Sequence, residues 1–176
     1  MHARRIVHLD FKSDQVLLLH GEEGSVPTVK IADLGLSKII GKVLPRAAGC
    51  PGFVAPEVEA AEEVTVAASP AADAYALGMT AMDIASPEPL GNVSTNALSK
   101  ERVEEGGGLY GQFPTEVMAE CNGTCSPRYM QFAKTCLKKN PGERATVPYL
   151  ISFVKAQLLP QVRTVLQSLS ALDDNG

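Results

Sequence analysis

A mainly α fold with short β-hairpins (α+β) is what this sequence predicts, on three observations. Its later half carries apolar residues at helical spacing, its first forty residues hold short β-branched and leucine runs between turn signals, and one central segment is apolar on nearly every face. With 176 residues, 45% of them hydrophobic, the chain suits one compact domain with a substantial core.

Ile6-Val7-His8 and Val16-Leu17-Leu18-Leu19 read as short strands around an irregular loop. Gly21-Glu22-Glu23-Gly24-Ser25 is a turn before a third strand, Thr28-Val29-Lys30-Ile31-Ala32. Ala60 to Ala72 is rich in Ala, Glu and Val and reads as a connecting loop, with Pro70 standing before the next helix. That helix, Ala72 to Ala85, has Ala74, Leu77, Met79, Met82 and Ile84 spread around it, which suits a pillar buried on all sides. Pro87 to Thr95 is irregular, and the triplet Gly106-Gly107-Gly108 is a flexible break that follows a charged helical segment. Pro127 to Lys138 carries Tyr129, Met130, Phe132, Ala133, Cys136 and Leu137 at helical spacing and stops at Asn140-Pro141-Gly142. Another helix is expected from Val147 to Leu158. After Pro160, Val162, Val165, Leu166, Leu169 and Leu172 recur in three- and four-residue steps, an amphipathic tail helix.

Composition narrows the function classes. A net charge of −4 offers no general attraction to nucleic acid or anionic lipid. No apolar run approaches the roughly 18–20 residues that span a bilayer, and Arg4, Arg5 and Asp10 interrupt any secretory signal core. The expectation is an intracellular, cytoplasmic protein with no nucleic-acid or membrane partner. Its four cysteines then serve as reduced thiols, because Cys121 and Cys125 lack a second ligand pair for a metal clip.

The chemistry sits in three short stretches. His8-Leu9-Asp10-Phe11-Lys12-Ser13-Asp14-Gln15 comes first, then Asp33-Leu34-Gly35, then Pro51-Gly52-Phe53-Val54-Ala55-Pro56-Glu57. Singly the first two say little: an Asp-x-Lys pair is by default a solvated ion pair, and Asp-Leu-Gly a common turn. Two further residues stand in order behind them, Asp73 at the head of the central helix and Arg144 after Asn140-Pro141-Gly142. Together the five landmarks resemble a eukaryotic-type protein kinase catalytic domain, from His8 to about Phe153. They match its catalytic loop, metal loop, end of the activation segment, central helix and a late arginine.

The resemblance implies transfer of the ATP γ-phosphate, with Mg²⁺, to a hydroxyl of a protein substrate, and Lys12 gives it the serine/threonine flavour. Asp10 and Lys12 are the catalytic pair, the carboxylate orienting the hydroxyl proton and the ammonium meeting the transferring phosphate. Lys12, Gln15 and Asp33 are then the ATP-binding residues, with Gln15 and Asp33 as the metal ligands. Gly35 is expected to take a conformation a larger residue would resist. Asp73 is expected to anchor the catalytic-loop backbone, and Glu57 to pair with Arg144.

Three departures stand beside the match. Gln15 replaces an asparagine at the second metal position, Leu9 an arginine that meets an activation-segment phosphate, and Cys50 a threonine that bonds the catalytic pair. Independently, Ser37 is the one hydroxyl side chain between Gly35 and Ala55, so phosphorylation in the middle of that segment is chemically excluded. The catalytic loop lies almost at Met1, so the expected architecture is a protein-kinase-like C-terminal lobe lacking the N-terminal lobe. Residues 1–156 form the partial kinase domain and 157–176 the amphipathic tail helix. The partners implied are a protein substrate and a missing N-terminal lobe or partner chain, and an apolar face of the central helix is expected to lie bare. A pseudokinase-like binding module without catalysis is the alternative reading.

Overall fold

The computed structural model describes residues 1–19, 27–43, 49–59, 67–86 and 125–164. Within them lie four short strands, β1 (Ile6–Val7), β2 (Val16–Leu19), β3 (Thr28–Ile31) and β4 (Lys38–Ile39). Four helices follow: α1 (Pro56–Glu59), α2 (Pro70–Ala85), α3 (Pro127–Cys136) and α4 (Val147–Phe153). The expected turn at 21–25, the irregular stretch after Pro87 and the glycine triplet lie outside the described residues.

The strands form two separate antiparallel pairs. β2 and β3 make a hairpin with Val16 opposite Ile31 and Leu19 opposite Thr28, while β1 pairs with β4, Val7 facing Lys38. The loop from His8 to Gln15 therefore leaves one sheet and enters the other, held at both ends. A single bridge, Val43 to Ala67, ties the stretch after β4 to the approach of α2.

α2 begins two residues earlier than its hydrophobic pattern suggests. Ser69 caps it by accepting from the Ala71 amide, and Pro70 is its first residue, where a missing N–H costs nothing. Pro70 to Ala72 thus belong to the helix and not to a connecting loop; residues 60–66 lie outside the description. From Ala72 to Asp83 only Leu77 escapes burial, as befits a helix apolar on every side.

α3 packs on α2 at unusually close range around Gly78. A Cβ placed there would lie 2.6 Å from the Cys136 Cβ and 2.9 Å from the Leu137 side chain. Gly78→Ala is accordingly expected to push the helices apart and lower stability by about 1–3 kcal/mol, against the usual gain in helix propensity. Thermal melting of that variant checks it. The core divides around this contact. One cluster joins Val7, Leu9, Phe53, Val54, Tyr75, Met79, Met82 and Met130; the other joins Ala81, Phe132, Cys136, Leu150 and Phe153.

α4 does not stop at Leu158. The chain widens into a π-helical turn over Val154–Leu158 and stays helical to Thr164, passing through Pro160. A proline lacks the amide for an i−4 bond and crowds that carbonyl, and a widened turn just before it relieves both problems. Val165, Leu166, Leu169 and Leu172 lie outside the described residues.

The bare apolar surface is not where the sequence suggested. On α2 only Ile84 is largely exposed; the wet apolar residues include five on the β2–β3 hairpin, Leu17, Leu18, Leu19, Val29 and Ile31, all about half exposed. Ile31 also lines a groove of about 450 Å³ together with Met1, Ala3, Phe11, Leu77, Val147, Pro148 and Ile151. Among the described residues no helix is long and apolar enough to cross a membrane.

Candidate active site

The loop between β1 and β2 hangs from one buried carboxylate. Asp73, in the first turn of α2, accepts the His8 amide on Oδ2 and the Leu9 amide on Oδ1, both at 2.8 Å. Two charge-assisted bonds to consecutive amides fix the plane of the loop backbone. Leu9 is held there at φ 70, a left-handed conformation that costs a branched residue on the order of 1 kcal/mol and persists because its amide and buried side chain are both fixed.

His8 binds two of the motifs together. Its Nδ1 accepts the Asp10 amide at 3.3 Å, which leaves Nε2–H to donate to the Ala32 carbonyl at 3.0 Å. The ring is buried and meets Phe11 edge-on at 5.8 Å. His8 is thus a packing and hydrogen-bonding residue. Its bond to Ala32 places the loop carrying Asp10 beside the turn carrying Asp33. The Ala32 amide in turn donates to the Gln15 carbonyl at 2.9 Å, so Gln15 and Asp33 stand at the same end of the β2–β3 ladder.

Around Asp10 the charges are mixed. Lys12 Nζ points to Cys50 Sγ at 4.0 Å and to Asp14 Oδ2 at 3.5 Å, the latter an exposed pair of little energetic weight. Burial pulls the Lys12 ammonium down, but Cys50, Asp10 and Asp14 push it up and win, so its charge is secure. Burial also pushes the Cys50 thiol up; Lys12 opposes this, and Asp10 and Asp14 add to it. The net shift is upward, so Cys50 holds its proton to higher pH than an ordinary thiol. Cys50 and Cys136 stand outside any disulfide.

Asp33, and not Gly35, takes the unusual backbone conformation: its φ is 58, a region an aspartate tolerates, whereas Gly35 has no positive φ. The Asp33 side chain turns back to accept the Gly35 amide on Oδ1 at 3.1 Å and is otherwise exposed. A Cβ on Gly35 would sit 3.1 Å from that same oxygen, so the glycine serves by leaving room for the carboxylate. Gln15 is buried and its Oε1 has no hydrogen-bond partner.

Glu57 and Arg144 form the expected ion pair, and form it twice over. Nη1 meets Oε1 at 2.7 Å and Nη2 meets Oε2 at 2.6 Å. The guanidinium also donates from Nε to the Lys138 carbonyl, from Nη1 to that of Ala71 and from Nη2 to that of Lys139, while its Cζ lies 5.0 Å from the Tyr75 ring centre. All five N–H donors of a fully buried side chain are thereby used.

Two contacts were not legible in the sequence. His2 Nε2 lies 2.7 Å from Asp73 Oδ2, making His2 a third support for the loop anchor. Ser13 donates through its hydroxyl to the buried Asp83 carboxylate near the end of α2. Both join residues about seventy positions apart, and no local pattern announces such a pairing.

The comparisons with known proteins agree with this geometry. Residues 1–154 match the family model described as the protein kinase domain. The chain is 27% identical over 155 residues to the serine/threonine-protein kinase fray1 of Dictyostelium discoideum, covering 86% of this chain and 25% of that protein. It is 29% identical over 160 residues to pakH of the same organism, covering 89% and 28%, and 28% identical over 149 residues to the G2-specific protein kinase nimA of Emericella nidulans, covering 84% and 19%. The chain thus spans between 19% and 28% of the length of these three relatives. With a family match that runs through the loop hung from Asp73 to the ion pair at Arg144, the chain belongs to the protein kinase domain family.

Proposed function

We propose that this chain is the C-terminal lobe of a protein serine/threonine kinase, transferring the γ-phosphate of ATP to a Ser or Thr hydroxyl of a protein substrate. The observation that carries the reading is the loop of Asp10 and Lys12, hung from Asp73 and tied through His8 to the carbonyl beside Asp33. Such a loop holds a base and a cation in one fixed frame, and positioning is most of what phosphoryl transfer asks of a protein. Asp10 orients the hydroxyl and takes its proton. Lys12, its charge secured by its neighbours, meets the phosphoryl oxygens.

The donors present fit Mg²⁺. Gln15 Oε1 is a hard oxygen without a partner, and the Asp33 carboxylate is exposed with one oxygen uncommitted to Gly35. Among the described residues no group of three or more His, Cys, Asp and Glu could hold a metal ion. That suits an ion held by one or two side chains and completed by substrate phosphates. Asp33 and Gln15 would hold it, and when bound it would neutralise charge on the phosphates. The surface that covers the nucleotide from the other side would come from an N-terminal lobe, on the same polypeptide or on a partner chain.

A second reading, a pseudokinase-like protein-binding module, is favoured by one contact. The Lys12 ammonium leans on a thiol at 4.0 Å, a weaker acceptor than a hydroxyl. The deciding assay is phosphoryl transfer from labelled ATP to a generic protein substrate, by this chain and by any longer native product containing it. Transfer should fall at least 10³-fold in Asp10→Asn. Line broadening by Mn²⁺ near Asp33, lost in Asp33→Asn, should accompany it. Broadening without transfer in any form of the protein would select the binding module.

A further inference from the structure

We infer that Leu9 is a positioning residue that latches the segment Gly49–Ala55 onto the catalytic loop by apolar contact, so that loop and segment order together without a phosphate. The inference rests on the kinase reading, in which these two stretches frame the substrate.

Three observations meet at this point. The Leu9 side chain is 8% exposed and belongs to the same apolar cluster as Phe53, Val54 and Ala55. The Leu9 carbonyl is the seat of Gly49: a Cβ there would lie 2.8 Å from that oxygen and 2.9 Å from the Val54 side chain, and Gly49 has a φ of 110. The backbone of the segment thus rests directly on the backbone of the loop. Finally, Ser37 is the one hydroxyl side chain from Gly35 to Ala55, and its Oγ is turned toward the His8 carbonyl at 3.4 Å. A buried hydrocarbon at position 9 cannot pair with an anion, and the middle of the segment offers no group to phosphorylate. Among the described residues the loop meets the segment through this apolar packing and through the long Lys12–Cys50 contact, and the packing is the buried part of the two. The packing responds to whatever alters the seating of Phe53 and Val54, such as an apolar side chain of a bound protein, and not to charge.

The test is amide hydrogen exchange, read at His8 for the loop, at Phe53 and Val58 for the segment, and at Met130 and Leu150 as references. Each of these amides has a defined acceptor: Asp73, Cys50, Ala55, Ser126 and Thr146. In Leu9→Ala, exchange at His8, Phe53 and Val58 should rise together by about tenfold or more while Met130 and Leu150 hold. Leu9→Met should leave all five unchanged. Should Leu9→Ala fail to fold, Val54→Ala, which trims the other side of the same contact, should show the same pattern at smaller amplitude. A uniform rise at all five amides, or a rise at His8 without Phe53, would overturn the latch. Because none of this measures phosphoryl transfer, the outcomes separate. Coupled amides in a chain without transfer would count against the kinase reading alone, and uncoupled amides in an active kinase against the latch alone.

Discussion

Glu57→Ala should cost this protein about 3–5 kcal/mol, enough to remove most of the stability of an ordinary domain. The size follows from what is left behind. Arg144 has no exposed side-chain surface, so without Glu57 its charge stays buried with only the carbonyls of Ala71, Lys138 and Lys139 for company. Those dipoles satisfy hydrogens without neutralising the charge. A fall in Tm of roughly 10 °C or more, or loss of the cooperative transition, is expected in thermal melting. Arg144→Lys should be nearly as damaging, since an ammonium cannot make five bonds in a fixed fork. A Glu57→Leu, Arg144→Leu pair should be milder than Glu57→Ala alone, because it removes both charges together. An unchanged Tm in Glu57→Ala would show that the pair does not hold α1 to the helical core.

Asp73→Asn comes second in expected effect and tests the frame of the site. The wild-type carboxylate has one oxygen for the His8 amide and another for the Leu9 amide. An asparagine can face the loop either way round, and each way sets its NH₂ against one of those two N–H groups. One charge-assisted bond is replaced by a clash of donors and the other loses its charge. With such bonds each contributing about 1.5–3 kcal/mol, a loss of about 3 kcal/mol is expected. In thermal melting the variant should fall short of Glu57→Ala, while exchange at the His8 amide rises well beyond that at Met130. If the His8 amide stayed as protected as in the wild type, Asp73 would not be the anchor.

Much of this site could be read from the chain before folding. Asp10, Asp33, Glu57, Asp73 and Arg144 appear in motif order, and the structure joins Glu57 to Arg144 and Asp73 to the loop as the family resemblance implied. Strands and helices with clear periodicity also fell near their expected places. What escaped was whatever depends on a partner distant in sequence. The support of His2 on Asp73, the Ser13 bond to Asp83 and the pairing of β1 with β4 all arise from three-dimensional proximity with no local signature. The backbone strain at Asp33 escaped for another reason: glycine is the usual bearer of a positive φ, and Gly35 stood two positions away to claim it. Pro160 misled in the opposite sense. A proline commonly ends a helix, but the π-helical turn over Val154–Leu158 absorbs its missing amide and lets the helix pass.

The half-exposed hairpin has a calorimetric consequence. Unfolding raises heat capacity in proportion to the apolar area newly wetted, on average by about 12–15 cal/mol/K per residue. Leu17, Leu18, Leu19, Val29 and Ile31 are already about half hydrated in the native state, so they supply only about half of their share of that increment. The stability of this chain therefore varies with temperature along a flatter arc than its hydrophobic content implies. The same residues would restore the curvature once a partner surface dried them.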